Sequence, residues 1–281
     1  MLDILVDALI DVLKLIPFLF LAFLILEFIE HKMSNKNREY LINNRKLGPL
    51  FGGILGSFPQ CGFSAMVTRL FSSHVVTLGT LMAVYLSTSD EMLPLLLSKG
   101  TNIIIILKII GIKVIIGIIL GYLIDLIYRK KLNYNHEIHN MCYDDDCHCE
   151  KSILYSSIRH TLNIIIYLFI ATLMINIIIY FIGEENISSF LENSHSLKYF
   201  ISSLIGLIPN CASSIIITEI YLEGVSSLGM LLSGLLTAAG VGLLVLFKTN
   251  KNFKENIIIL LIIYFIGVIC GYLIDLIGII V

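Results

Sequence analysis

The chain has 281 residues, of which 57% are hydrophobic and 14% charged, with a net charge of −2. A soluble domain carries roughly a quarter charged residues, so this composition excludes an ordinary water-soluble protein and predicts an all-α polytopic membrane protein. No basic patch for nucleic acid occurs, and no Walker sequence, dinucleotide fingerprint or nucleophile elbow, so neither a nucleic-acid partner nor enzymatic catalysis is expected.

Residues 1–13 hold Asp3, Asp7 and Asp11 without Lys or Arg. That is the reverse of a basic leader region, and the first apolar run, 9–30, is expected to stay as a span. Further apolar segments follow at 48–72, 74–98 and 103–128, then at 161–182, 199–222, 225–247 and 256–280. Each is near the roughly 20 residues that a simple crossing needs.

The chain repeats itself after 150 residues. Gly56, Pro59, Cys61, Ser64 and Thr68 meet Gly206, Pro209, Cys211, Ser214 and Thr218. G-Y-L-I-D-L-I at 121–127 recurs letter for letter at 271–277. Three units follow: membrane repeat 1 over 1–130, a hydrophilic loop over 131–154 and membrane repeat 2 over 155–281.

Charge sets the direction of the repeats. The stretches 31–46, 129–159 and 248–254 hold 13 of the 19 basic residues and are expected on the cytoplasmic side. Residues 183–197 carry Glu184, Glu185 and Glu192 and no Lys or Arg, and are expected outside. Two cytoplasmic loops separated by three apolar segments require that one segment not cross simply. The Gly-Pro break at Gly56 and Pro59, and its copy at Gly206 and Pro209, mark 48–72 and 199–222 as re-entrant hairpins or pairs of short crossings. Each half then crosses an odd number of times. The expected fold is therefore two inverted-topology repeats whose broken helices meet near the midplane, with both termini outside. This is a transporter architecture.

Cys61 and Cys211, each two residues after a proline, would supply soft ligands for Cu(I), zinc, cadmium or trivalent arsenic. Asp90 and Glu91 in S-T-S-D-E are intramembrane carboxylates, which usually face a pathway; their repeat partners are Gly240 and Val241. Ser64, Ser87, Thr88, Asn210 and Ser214 add oxygen ligands or interhelical bonds. Arg69 aligns with Glu219; a pair across the axis is one reading, and the favoured one is that each is the headgroup end of its segment. Lys108 and Lys113 read as snorkelling, with Lys113 deep enough to reach Asp90 or Glu91. Asp125 reads as an i,i+4 partner of Arg129 at the membrane edge.

The loop H-E-I-H-N-M-C-Y-D-D-D-C-H-C-E, 136–150, gathers His136, His139, Cys142, Cys147, His148 and Cys149. That donor density suits a zinc-like metal, held for capture or sensing rather than transport. No resident cofactor is otherwise required.

The paired G-x-x-P-x-C, the S-T-S-D-E segment and the His/Cys/Asp loop together resemble a bacterial group of ten-span heavy-metal exporters, which go under the names of arsenic efflux proteins and manganese transporters. The resemblance covers nearly the whole chain. It implies a multi-pass inner-membrane protein, compatible with a homo-oligomer, that expels a heavy-metal cation or metalloid from the cytosol. Manganese, zinc, cadmium and arsenite all remain open as substrates, and an ion gradient is the expected energy source. Two alternatives from other classes stay open: a thiol-disulfide electron conduit through Cys61 and Cys211, and an organic-anion permease.

Overall fold

The computed structural model describes residues 47–58, 61–89, 92–129, 197–209, 211–222, 224 and 226–278, with single helical positions between 9 and 24 and between 158 and 177. At 61, 129, 211 and 212 it describes the backbone alone. Among the described residues there is no strand. Ten helices are bounded in full: α1 (Gly48–Gly56), α2 (Cys61–Ser72), α3 (Leu78–Ser87), α4 (Met92–Ser98), α5 (Ile103–Arg129), α6 (Lys198–Gly206), α7 (Cys211–Leu222), α8 (Leu228–Thr237), α9 (Val241–Thr249) and α10 (Phe253–Ile277). The second five follow the first five at the 150-residue spacing of the sequence repeat, α9 starting one residue early.

Hydrogen bonds and close approaches fix the helix directions. A Cβ on Gly48, Gly52 or Gly56 would meet Thr80, Val84 or Ser87 in turn, so α1 and α3 run parallel. Thr68 on α2 bonds Tyr85 on α3 across the short connection 73–77, so α2 runs against α3. The chain therefore reverses at 57–60, as the Gly-Pro break predicts. The second half repeats this course: Ser202 bonds the Met230 carbonyl at 2.8 Å, and Ser203 the Ser233 carbonyl at 3.2 Å. Even the left-handed residue of the α2–α3 connection recurs, as His74 at φ 59° and Gly224 at φ 77°.

Two segments depart from expectation. Both 74–98 and 225–247 read as plain spans, yet each is interrupted, by 88–91 between α3 and α4 and by 238–240 between α8 and α9. Neither break contains a proline. Gly240 passes through φ 55° at the second.

All ten residues of α3 and all ten of α8 are buried. They form the centre, against which α5 and α10 run antiparallel. The packing is backbone to backbone. A Cβ on Gly121 would stand 2.6 Å from the Gly79 carbonyl oxygen, and one on Gly271 would stand 2.5 Å from that of Gly229. The outer sides of α5 and α10 carry exposed Ile103, Leu107, Leu126, Phe253, Phe265 and Leu276. Burying that surface in hydrocarbon is favourable, and three stretches are long and apolar enough to cross: Ile103–Tyr128, Leu228–Thr249 and Phe253–Ile277. The chain is a multi-pass membrane protein.

The closeness at Gly79 and Gly229 lets a carboxylate from the outer helix cap the inner one. Asp125 accepts from the Gly79 N–H at 2.8 Å and from the Thr77 hydroxyl at 2.7 Å. Asp275 accepts from the Gly229 N–H at 2.7 Å, the Tyr199 hydroxyl at 2.7 Å, the Lys198 ammonium at 3.3 Å and the Ser227 hydroxyl. The first amides of a helix lack internal partners and carry the positive end of its dipole, so an anion there is stabilising. Asp125 thus has partners beyond the Arg129 read from the sequence, whose side chain lies outside the described residues. The repeated G-Y-L-I-D-L-I is the outer half of a helix-capping clamp.

Two apolar clusters show which helix ends lie together. One joins Phe71, Leu78, Ile124, Leu246 and Ile259. The other joins Leu96, Ile106, Leu228 and Ile274. The halves interlock reciprocally: α2 packs on α9 of the second half, and α7 packs on α4 of the first.

Candidate substrate pathway

The four helix interruptions fall at one level of the molecule. Gly56, the last residue of α1, lies so close to α3 that a Cβ would overlap the Ser87 hydroxyl, at the last residue of that helix. Gly206, the last residue of α6, lies equally close to Thr237 at the end of α8. Ser64, one turn into α2, sits against Gly242 at the start of α9, with its Cβ 3.0 Å from where a Gly242 Cβ would stand. Each turn-back therefore ends its first arm beside a break of its own half, and α2 begins beside a break of the other half.

Broken helices leave carbonyls without internal donors, and the side chains around the breaks answer some of them. Ser89 donates to the Ser87 carbonyl at 3.2 Å, while the Ser87 and Thr88 hydroxyls add, at 3.1 and 2.7 Å, to a Val84 carbonyl that already accepts the Thr88 N–H. Ser213 donates to the Ile208 carbonyl at 3.1 Å, holding the turn before α7, and half-buried Pro209 stands inside that turn. Ser64 and Ser214 are buried and equivalent; their carbonyls accept from Thr68 and Thr218, each at 2.6 Å.

The two halves are not alike here. Tyr85 is fully buried; its hydroxyl lies 2.6 Å from the Thr68 hydroxyl and 3.0 Å from the Gly242 carbonyl, linking α3, α2 and α9. Its repeat equivalent is Leu235. Lys113 is also fully buried, which overturns the snorkelling alternative for it. Its ammonium donates to the Thr88 carbonyl, at the end of α3, and to the Leu235 carbonyl at 3.0 Å, in the last turn of α8. Sequence reading singled out Lys113 without finding these partners, and passed over Tyr85. The available signal was a polar residue opposite an apolar one in the repeat, Tyr85 against Leu235 and Lys113 against Ile263.

Arg69 is buried in the last turn of α2, and Glu219 pairs with Lys99 at 3.9 Å. Cys61 and Cys211 are the first residues of α2 and α7, immediately after the two turn-backs; their side chains lie outside the described residues. So do Pro59, Asp90, Glu91 and Asn210, and the loop residues His136, His139, Cys142, Cys147, His148 and Cys149. Among the described residues, no three His, Cys, Asp or Glu side chains converge as a metal site. The described part of the junction is thus lined by hydroxyls, backbone carbonyls and one ammonium.

No curated protein and no solved structure matches the chain. A family model described as "Putative, 10TM heavy-metal exporter" matches residues 1–182 and 150–279. Those two matches span nearly the whole sequence, as do the repeat and the apolar helices, and the chain belongs to this family of ten-transmembrane heavy-metal exporters.

Proposed function

We propose that the protein is a secondary-active exporter that carries a metal cation or metalloid out of the cytosol through the junction of its four helix breaks. The observation that carries this reading is the convergence of those breaks from both halves. Non-helical backbone at membrane depth is tolerated only where it is buried in protein or lines a water-filled cavity. Cys61 and Cys211 open the helices that leave the turn-backs, and Asp90 and Glu91 occupy the α3–α4 break. Soft thiolates suit arsenite, zinc or cadmium, while carboxylates, carbonyls and the hydroxyls of Ser64, Ser87, Thr88 and Ser214 suit manganese. Asn210 belongs to the same set.

The halves, on this reading, are inverted about an axis in the membrane plane. The ends of α2 and α9 meet through the Ser72 and Thr249 hydroxyls, 2.8 Å apart, beside the start of α3 and the end of α5. The start of α8 lies instead with the end of α10 and the start of α5. With α3 and α8 entering from opposite faces, the start of α1, which follows basic 31–46, the end of α5, which precedes 130–159, and residues 248–254 fall on one face, and the start of α6, which follows acidic 183–197, falls on the other. Clustered Lys and Arg favour the cytosol, so the loop 131–154 is cytoplasmic and both termini are outside. In that reducing compartment the loop's six His and Cys residues bind a zinc-like metal for capture or sensing.

Total cell metal tests the reading. Cells expressing the wild type or the Cys61→Ser/Cys211→Ser variant are grown with sub-toxic manganese, zinc, cadmium, cobalt, copper or arsenite and assayed by mass spectrometry. A fall in one element with the wild type alone is expected. Unchanged content for every element would refute export of these ions, and a cell-reducible Cys61–Cys211 disulfide would then point to electron transfer.

A further inference from the structure

Lys113 lies near the middle of α5, and none of its surface is exposed. Intramembrane ammonium groups are costly and are retained where they serve a site. The two acceptors named above are carbonyls that an uninterrupted helix would have used internally. In α8 the amide four residues beyond Leu235 belongs to Ala239, and the break redirects it to the Thr237 carbonyl at 2.8 Å. In the first half the Thr88 carbonyl stands at the cap of α3, just before 90–91. Two helix C-termini, one from each half, thus present freed oxygens and the negative ends of their dipoles to a single point. Unwound carbonyls at half-helix C-terminal ends are what transporters use to coordinate coupling cations. An ammonium is a compact point charge with three donors and satisfies the same oxygens. Fully buried Ile263 fills the equivalent place in the second half, so the charge is not a demand of the repeat's packing.

We propose that the Thr88 and Leu235 carbonyls form a monovalent-cation site that the chain fills with its own Lys113 ammonium, a tethered charge standing in for a bound sodium or potassium ion. The site rests on the fold alone and is independent of which metal is exported. It makes sodium and potassium dispensable at this junction, and it predicts that removing the lysine side chain re-creates a site for a free cation.

The test is thermal unfolding of the full-length protein in lipid nanodiscs, at constant ionic strength, in choline, sodium, potassium or ammonium chloride. The wild type is expected to unfold at the same temperature in all four. Lys113→Ala is expected to unfold earlier in choline and to regain about 4 °C in at least one small-cation salt, as selective binding to the folded state requires. Lys113→Met fills the space without charge and is expected to be destabilised equally in every salt. Lys113→Arg keeps the charge and is expected to ignore the salt. If Lys113→Ala assembles only when prepared in sodium, potassium or ammonium, that rescue is the same result. The proposal is overturned if Lys113→Ala gains nothing from any small cation, if it fails to assemble in all four salts, if the wild type responds as strongly, or if Lys113→Met matches the wild type.

Discussion

Replacing Tyr85 by Phe removes one hydroxyl from the contact between the halves. The hydroxyls of Tyr85 and Thr68 bring two protons to a group that includes the Gly242 carbonyl, at 3.0 Å from Tyr85 and 3.4 Å from Thr68, and the Ser64 carbonyl, 2.6 Å from Thr68. In Tyr85→Phe, Thr68 still donates to Ser64, so one hydrogen bond is lost rather than two. Interhelical side-chain bonds in membranes are worth about 0.6 kcal/mol on average and about 1.7 at most. The expected loss is therefore about 1 kcal/mol, or about 2–4 °C in the unfolding temperature of a domain of this size. Thr68→Val should couple to it: groups in one hydrogen-bond network are non-additive by about 0.5 kcal/mol or more, so the double variant should cost less than the sum of the singles. Thermal unfolding in nanodiscs of the wild type, both single variants and the double variant measures this. A Tyr85→Phe variant as stable as the wild type, or strictly additive losses, would refute the bonding arrangement.

Within α5, Gly121→Ala forces a Cβ against the Gly79 backbone and should cost about 1–3 kcal/mol, whereas Gly111, with nothing within 4 Å, should accept Ala neutrally or gain up to about 1 kcal/mol from helix propensity; equal effects in an unfolding assay would contradict the packing. Ser72→Cys combined with Thr249→Cys replaces hydroxyls 2.8 Å apart and should form a disulfide on oxidation. If the proposed export works by parting α2 from α9, metal efflux should stop when the disulfide forms and return with reductant; efflux that continues through the crosslink argues against that motion. Lys99→Ala breaks an ion pair of 3.9 Å between side chains 56% and 45% exposed, and its stability should stay within about 0.5 kcal/mol of the wild type.

Much of the membrane architecture was legible one residue at a time. The apolar segments, the 150-residue repeat and the reversal at Pro59 and Pro209 follow from hydropathy and from proline's missing donor, which are local properties. The interruptions at 88–91 and 238–240 carry no proline, and the polar S-T-S-D-E at the first reads as a pathway-facing patch on a continuous span rather than as a break. Their freed carbonyls are tolerable because Lys113 reaches them from α5, a partner 25 residues from Thr88 and 122 from Leu235.

Asp125 teaches the same lesson. Locally its obvious partner is Arg129, four residues on; the fold adds an amide 46 residues away, because Gly79 and Gly121 let two backbones approach. The sequence by itself determined that this chain spans a membrane in two related halves, because burial in lipid and chain stiffness act on neighbouring residues. Only the tertiary structure decided where the central helices break and which polar groups meet there, because the partners of a freed carbonyl are supplied by packing between helices and not by the residues beside it.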